Sequence, residues 1–156
     1  MPKAYILIGV PGSGKSTWIS KAPVDWNNTV VASTDNYVEQ QAKKQNKTYS
    51  QIFKATMPAA VAHMARTVVD AVDAGQDIIW DQTSTTRHTR AKKLNMLPDD
   101  YEVIAVVFPT PEKEELKRRL GSREGKSIPD AVMRQMIGGW EEPSKSEGFD
   151  QIIYVR

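Results

Sequence analysis

Short apolar runs punctuate an otherwise polar chain. Lys3–Gly9 is aliphatic and β-branched and ends in glycine, which predicts a buried strand. Thr29–Ser33, Asp77–Trp80, Tyr101–Phe108 and Gln151–Val155 repeat that pattern. Between the runs, apolar residues return every three or four positions, the period of a helix with one buried face. Lys15–Lys21 is a short helix by this reading. Tyr49–Asp73 is a long one, with Phe53, Met57, Val61, Met64, Val68 and Val72 on its inner face. Pro58 is expected to kink or restart it, and Gly75 to stop it. Ser84 is placed to cap a helix running to about Leu97. Thr110–Pro111 reads as a cap followed by a first-turn proline, with Glu112, Glu114 and Glu115 near the positive end of the helix dipole. Pro129 opens a last helix that puts Val132, Met133, Met136, Ile137 and Trp140 on one face.

Strands thus alternate with helices, and strands this continuously apolar are buried on both faces. The fold class that follows is α/β: a three-layer sandwich around a mostly parallel sheet of about five strands. No repeat and no linker divides residues 1–156, so one domain is expected. Ligands of such folds bind at the carboxyl ends of the strands.

Composition narrows the classes. Hydrophobic residues are 40% and charged residues 26% of the 156, ordinary values that exclude disordered and collagen-like chains. The longest uncharged apolar run, Ala4–Gly12, is too short to span a bilayer, and Pro11, Gly12 and Lys15 spoil it as a signal sequence. There is no cysteine, which removes disulfides and thiolate metal sites and fits a cytoplasmic location. Lys and Arg number 21 against 19 acidic residues, so the chain is no polycation. Only local basic clusters remain to hold phosphates: Arg87–Lys93, with Arg87, Arg90, Lys92 and Lys93, and Lys117–Lys126.

The chemistry starts at Gly9-Val10-Pro11-Gly12-Ser13-Gly14-Lys15-Ser16-Thr17, which fits G-x-x-x-x-G-K-[ST] between a strand and a helix. In such a P-loop the backbone N–H groups of Gly12, Ser13 and Gly14 turn inward around phosphate oxygens. Lys15 reaches the β- and γ-phosphates, Ser16 ligates Mg²⁺, and Thr17 adds a hydroxyl toward the α-phosphate. The motif predicts a nucleoside triphosphate, ATP in the first instance, and leaves the acceptor open.

Two carboxylates follow strands on the same sheet edge, Asp35 after the second and Asp81 after the third. Either can accept a proton from an attacking hydroxyl or hold Mg²⁺, and either can instead cap a following helix. The polar string Asp81-Gln82-Thr83-Ser84 directly after a buried strand favours a working loop. Arg119 and Arg123 are four apart and share a helix face, where they can clamp a triphosphate or merely sit solvated at a helix end. Gly121 and Gly125 beside them permit lid closure.

These pieces together resemble the kinase domain of polynucleotide kinases, both the phage type and the kinase half of polynucleotide kinase-phosphatase. The resemblance rests on GVPGSGKSTW, TDNY around Asp35, IIWDQTS around Asp81, KRRLGSREGKSIPDAVMRQM, and the closing WEEPSKSEGFDQIIYV. The P-loop domain of heterogeneous nuclear ribonucleoprotein U is similar over the same stretch. The resemblance implies a P-loop NTPase fold with an arginine-bearing helical lid. ATP or another NTP would be the donor, and Mg²⁺ the cofactor. It implies that Lys15 and Ser16 bind phosphates and Mg²⁺, and that Asp35 is general base on the 5′-hydroxyl of DNA or RNA. Asp81 and Thr83 would order the acceptor, and Arg119 and Arg123 would be lid arginines. The pattern departs at Val38, where phage-type enzymes carry an arginine for the acceptor phosphate, and at Thr34, where an arginine is common. Arg87 or Arg90 is expected to replace that contact. No D-x-D occurs, so 3′-phosphatase activity is not expected. Three readings stand: a 5′-hydroxyl polynucleotide kinase, a kinase of another hydroxyl, and a non-catalytic nucleotide-binding module.

Overall fold

The computed structural model describes residues 1–123 and 125–156; Glu124, inside the basic segment 117–126, lies outside the described residues. Five strands, β1 (Lys3–Ile8), β2 (Thr29–Ala32), β3 (Asp77–Trp80), β4 (Glu102–Val107) and β5 (Gln151–Tyr154), form one sheet in the order β2-β3-β1-β4-β5. Every pairing is parallel. Six helices accompany them among the described residues: α1 (Lys15–Ser20), α2 (Thr34–Gln45), α3 (Tyr49–Ala74), α4 (Arg87–Leu94), α5 (Lys113–Gly121) and α6 (Asp130–Gly138).

Period-2 alternation along the strands divides the core between the sheet's two faces. Ala4, Ile6 and Ile8 of β1 join Ile78, Trp80, Val103, Ala105 and Val107 beneath Met64, Val68 and Ala71 of α3. Tyr5 and Leu7 turn the other way, with Ile79, Ile104, Val106 and Phe108, to meet Trp18 and Ile19 of α1. β1 lies at the centre with β3 and β4 on either side, so the chain's direction of winding reverses there. That reversal opens a crevice at the carboxyl end of β1.

Several local features differ from expectation. α3 is one unbroken helix of 26 residues that passes through Pro58. Pro58 and Lys54, whose carbonyl loses its partner, are both exposed, which puts the freed group on the solvent side of the helix. The buried face of α3 is Ile52, Ala60, Met64, Val68 and Ala71, whereas Phe53 and Val61 are exposed. The small side chains of Ala60 and Ala71 let the helix seat closely, and periodicity drawn through the large apolar residues misses them. Gly75 does end the helix, in the left-handed conformation at φ 66°.

α4 is capped by Thr86 rather than Ser84 and stops at Leu94, short of Leu97. α5 begins at Lys113, beyond Thr110–Pro111. In α6, Met133 is the buried contact while Val132 and Ile137 are exposed. No apolar periodicity predicts α2; a helix there enters the sequence reading only as the one Asp35 could cap. Its buried apolar residues are Val38 and Ala42, packed with the half-buried Tyr37 against Ile52 and Ala60 of α3, and most of the remaining segment is polar.

Candidate active site

The strand ends of β1, β2 and β3 meet in one cleft of about 1300 Å³. Backbone bonds lock them together. The Gly9 N–H donates to the Thr83 carbonyl at 2.9 Å, and the Asp81 N–H to the Ala32 carbonyl at 2.8 Å. The floor of the cleft is therefore set by the sheet and not by loops that move independently.

β1 runs straight into the P-loop, whose turn needs positive φ at Gly12 (84°) and at Gly14 (106°). Gly12 is constrained twice, because a Cβ there would lie 3.1 Å from Leu116 and 3.3 Å from Leu120 of α5. Gly14 opens α1, so the first N–H groups of that helix face the cleft. Lys15 folds along the loop and donates to the Gly9 carbonyl at 2.7 Å and the Val10 carbonyl at 3.2 Å. Burial lowers its pKa to about 8, while the neighbouring Asp81 and Asp35 carboxylates pull it upward. Among the described residues the buried Ser13 hydroxyl has no hydrogen-bond partner. Gly12, Gly14, Lys15, Ser16 and Thr17 all line the cleft.

Opposite the loop stands Asp35, in the first turn of α2. It is not the cap: Ser33 fills that place and accepts the Asn36 N–H. The Asp35 carboxylate is held from two sides. Tyr49 donates its hydroxyl to Oδ1 at 2.5 Å, and the Lys126 ammonium lies 3.3 Å from Oδ2. Lys126 also pairs with Glu39 at 3.1 Å and sits 4.4 Å from the centroid of the Tyr49 ring. Burial, then the bond to Asp35, push the Tyr49 phenol far above its ordinary pKa, so it remains a donor.

Asp81, directly after β3, lines the same cleft. No helix follows it directly, so it caps nothing. Burial raises its carboxyl pKa, and Lys15 opposes that shift more than any other group. Thr83 and Gln82 line the cleft beside it, with Gln82 donating to Thr34 at 3.3 Å.

From the lid, Arg119 donates to the Gly12 carbonyl at 3.0 Å and to Glu115 at 2.8 Å. Arg118 and Arg119 together hold the Glu115 carboxyl down to about 2. Arg123 lines the same cleft.

Two expected acceptor contacts need correction. Arg90 is 0% exposed. Its guanidinium grips both carboxylate oxygens of Glu147, at 2.8 and 3.2 Å, and donates to the Ser84 carbonyl at 3.0 Å. With those partners it braces the loop after β3 and does not reach a ligand. Arg87 is exposed and lies outside the cleft lining, its backbone N–H on Glu141 at 3.1 Å. The position where an arginine was missed, Val38, is fully buried between α2 and α3 and faces no ligand either.

Sequence reasoning named Lys93 and Lys126 only as members of basic clusters and passed over Tyr49; all three line the cleft. The signal for Lys126 was its basic segment, and for Tyr49 its place at the start of α3. Neither revealed that both converge on Asp35. An apolar wall of Phe53, Met57, Val132 and Met136 completes the mouth.

Mg²⁺ is implied by the P-loop, and the donor set fits it. Ser16 and the Asp81 carboxylate share the cleft, and an ion carried by nucleotide phosphates needs only one or two such protein oxygens plus water.

A parallel sheet with a P-loop at its switch point, facing a carboxylate and a basic lid, defines a P-loop nucleotide-binding domain with the fold of the P-loop kinases. The AAA domain family model matches residues 5–143, and the chain belongs to that family. Human heterogeneous nuclear ribonucleoprotein U-like protein 2 is 24% identical over 160 residues, covering 97% of this chain and 21% of the relative. The chain thus spans about a fifth of the length of the curated relatives it matches. A chain of the PezAT toxin-antitoxin system of Streptococcus pneumoniae superposes with a TM-score of 0.74 at 19% identity, covering all of this chain and 67% of that one. A chain of the Pnkp1/Rnl/Hen1 RNA repair complex gives 0.67 at 21% identity, covering 88% and 43%. At these identities the likeness is one of fold.

Proposed function

We propose that this chain is an ATP-dependent kinase that moves the γ-phosphoryl group to a hydroxyl, and that the 5′-hydroxyl of DNA or RNA is its acceptor. The observation that carries the reading is the cleft itself: Lys15 on the donor side and Asp35 on the acceptor side face one space, close enough for the Asp35 carboxylate to favour the charged form of Lys15. The similarity to a chain of an RNA repair complex supports the polynucleotide acceptor.

The P-loop N–H groups and Lys15 hold the triphosphate. Ser16 and Asp81 would hold Mg²⁺, which when bound neutralises charge on the β- and γ-phosphates. The acceptor hydroxyl donates to Asp35. Tyr49 and Lys126 fix that carboxylate in place, so orientation is set before substrate arrives. The acceptor oxygen bonds to the γ-phosphorus as the bond from phosphorus to the β–γ bridging oxygen breaks. The proton passes to Asp35 and ADP leaves. An aspartate is a weak base, sufficient where the transition state is loose and the proton moves late. Arg119 and Arg123 offset charge on the migrating group, with Arg119 exchanging the Gly12 carbonyl for phosphate oxygen.

One observation favours a second acceptor class. Arg90 is locked to Glu147, Val38 is buried and Arg87 lies outside the cleft, while Phe53, Met57, Val132 and Met136 offer an apolar wall. A small molecule with an apolar face and a free hydroxyl suits that wall.

Labelled ATP presented with 5′-hydroxyl oligonucleotides, nucleosides and sugars separates the readings. Label on the oligonucleotide is the expected result. Label confined to a small acceptor replaces the substrate, and no transfer to any hydroxyl reduces the chain to a nucleotide-binding module.

A further inference from the structure

Asp35 and Glu39 lie one turn apart on α2, and both line the cleft. Carboxylates at that spacing share a helix face and repel each other. One cation serves both. The Lys126 ammonium is 3.3 Å from Asp35 Oδ2, 3.1 Å from Glu39 Oε1 and 4.4 Å from the centroid of the Tyr49 ring. Its side chain is 15% exposed, against 48% for Asp35 and 52% for Glu39. The backbone on either side of it is pinned as well. The Ser50 N–H donates to the Gly125 carbonyl at 3.2 Å, and the Ser127 N–H donates to the Ser50 hydroxyl at 3.0 Å. Gly125 has φ 67°, and a Cβ there would lie 3.1 Å from Thr48. The strap 125–127 is thus seated on the first turn of α3, with Lys126 reaching the two acids of α2.

A lysine is a point charge on a flexible stem, and a single half-exposed carboxylate holds such a group weakly. Orienting Asp35 for an attacking hydroxyl requires the ammonium to stay in one place. Tyr49 already donates to Asp35 Oδ1, so Oδ2 is the oxygen whose surroundings remain to be set. Glu39 gives the ammonium a second fixed partner. It also shares the positive charge, which leaves Oδ2 able to accept a further donor. We propose that Glu39 is a positioning residue for phosphoryl transfer: it holds Lys126 beside Asp35 and acts on the reaction only through that lysine.

This deepens the kinase reading and rests on it for the reaction that is positioned. Among the described residues the Glu39 carboxylate has no partner other than Lys126. The pair also fastens α2 to the strap that follows the lid helix α5. The carboxylate proposed as base is therefore ordered only while that strap is seated.

A double-mutant cycle tests it, read with the acceptor that takes label in the screen above. Glu39→Gln should lower kcat by about tenfold or more, as small misplacements of a reacting group do, with KM for ATP within about twofold of wild type. Glu39→Asp keeps the charge and should recover most of that loss. Lys126→Met should lose at least as much as Glu39→Gln. The double variant should fall no further than Lys126→Met alone, because Glu39 has nothing left to hold. Glu39 is half exposed, so Glu39→Gln should melt within about 2 °C of wild type. A Glu39→Gln chain with wild-type kcat, or additive losses in the double variant, overturns the inference. So does a Glu39→Asp chain as slow as Glu39→Gln, or a kcat loss matched by a fall in melting temperature. A second readout needs no turnover. In a chain labelled with ¹⁵N-lysine, Lys126 should give a resolved ammonium signal, missing in Lys126→Met and lost in Glu39→Gln. A wild-type spectrum without that signal, or a Glu39→Gln spectrum that keeps it unchanged, also overturns the inference. If the signal behaves as expected but no acceptor is ever phosphorylated, the kinase reading fails and the hold on Lys126 stands. If transfer occurs and Glu39→Gln changes neither rate nor signal, the role of Glu39 alone fails.

Discussion

The two halves of the cleft are made differently. The donor half is nine consecutive residues, Gly9–Thr17, whose working groups are mostly backbone N–H. The half we propose for the acceptor is assembled from side chains far apart in sequence: Asp35, Tyr49, Asp81, Lys93 and Lys126. Backbone recognition of phosphate is general and needs one short motif. Recognition of an acceptor is particular, and it depends on the sheet and on α2, α3 and α4 being packed first. The donor half therefore identifies a class of chemistry, and the acceptor half distinguishes one member from another.

That division can be broken by experiment. The largest expected effect is on the acceptor side. Asp35→Ala should lower kcat by about 10²–10⁴-fold while leaving affinity for an ATP analogue within about twofold. Equal losses in both would mean that the halves are not separable. Next comes the buried brace. Arg90→Ala leaves the Glu147 carboxylate, only 11% exposed, without its cation. The loss should be about 3–5 kcal/mol in urea denaturation. Nucleotide affinity of the folded fraction should change little, since Arg90 supports the acceptor floor.

pH sharpens the comparison from the donor side. Lys15 in the free protein gives up its proton near pH 8, well below the ordinary 10.5. Affinity for an ATP analogue should be level below pH 8 and fall above it by up to about tenfold per pH unit, because only the ammonium form attracts phosphate. Lys15→Met should bind weakly and without that slope. Stability moves the opposite way. Lys15 and Lys93 both have lowered pKa values of about 8, so between pH 8 and 10.5 the unfolded chain holds more protons. In that window these two groups make unfolding less favourable as pH rises.

The smallest effect isolates backbone geometry. Gly14 has φ 106°, and an added Cβ would meet nothing within 4 Å. Gly14→Ala should then cost only the conformational strain, about 1–2 kcal/mol by thermal melting. A larger loss would show that the donor half also depends on side-chain packing.

The same contrast explains what the sequence disclosed. The strands were legible because burial on both faces leaves continuous apolar runs, and the P-loop because its function lies in contiguous residues. Asp35 and Asp81 were legible as acids after strands. Their neighbours were not, since nothing in the local pattern says that Tyr49 and Lys126, 77 positions apart, meet at one carboxylate. α2 shows no apolar periodicity because two buried side chains, Val38 and Ala42, with the half-buried Tyr37, anchor twelve residues. Arg90 was misassigned for a related reason. Residue type advertises charge, but the partner that consumes it, Glu147, lies 57 positions away.

The resting contacts of the P-loop bear on turnover. Lys15 rests on the Gly9 and Val10 carbonyls and Arg119 on the Gly12 carbonyl. Each cation thus has somewhere to go when the spent nucleotide departs. Product escape then trades one set of oxygen partners for another and strands no bare charge in a low-dielectric groove. In the kinase cycle we propose, such berths would lower the barrier to nucleotide exchange, at the expense of some grip on the incoming ATP.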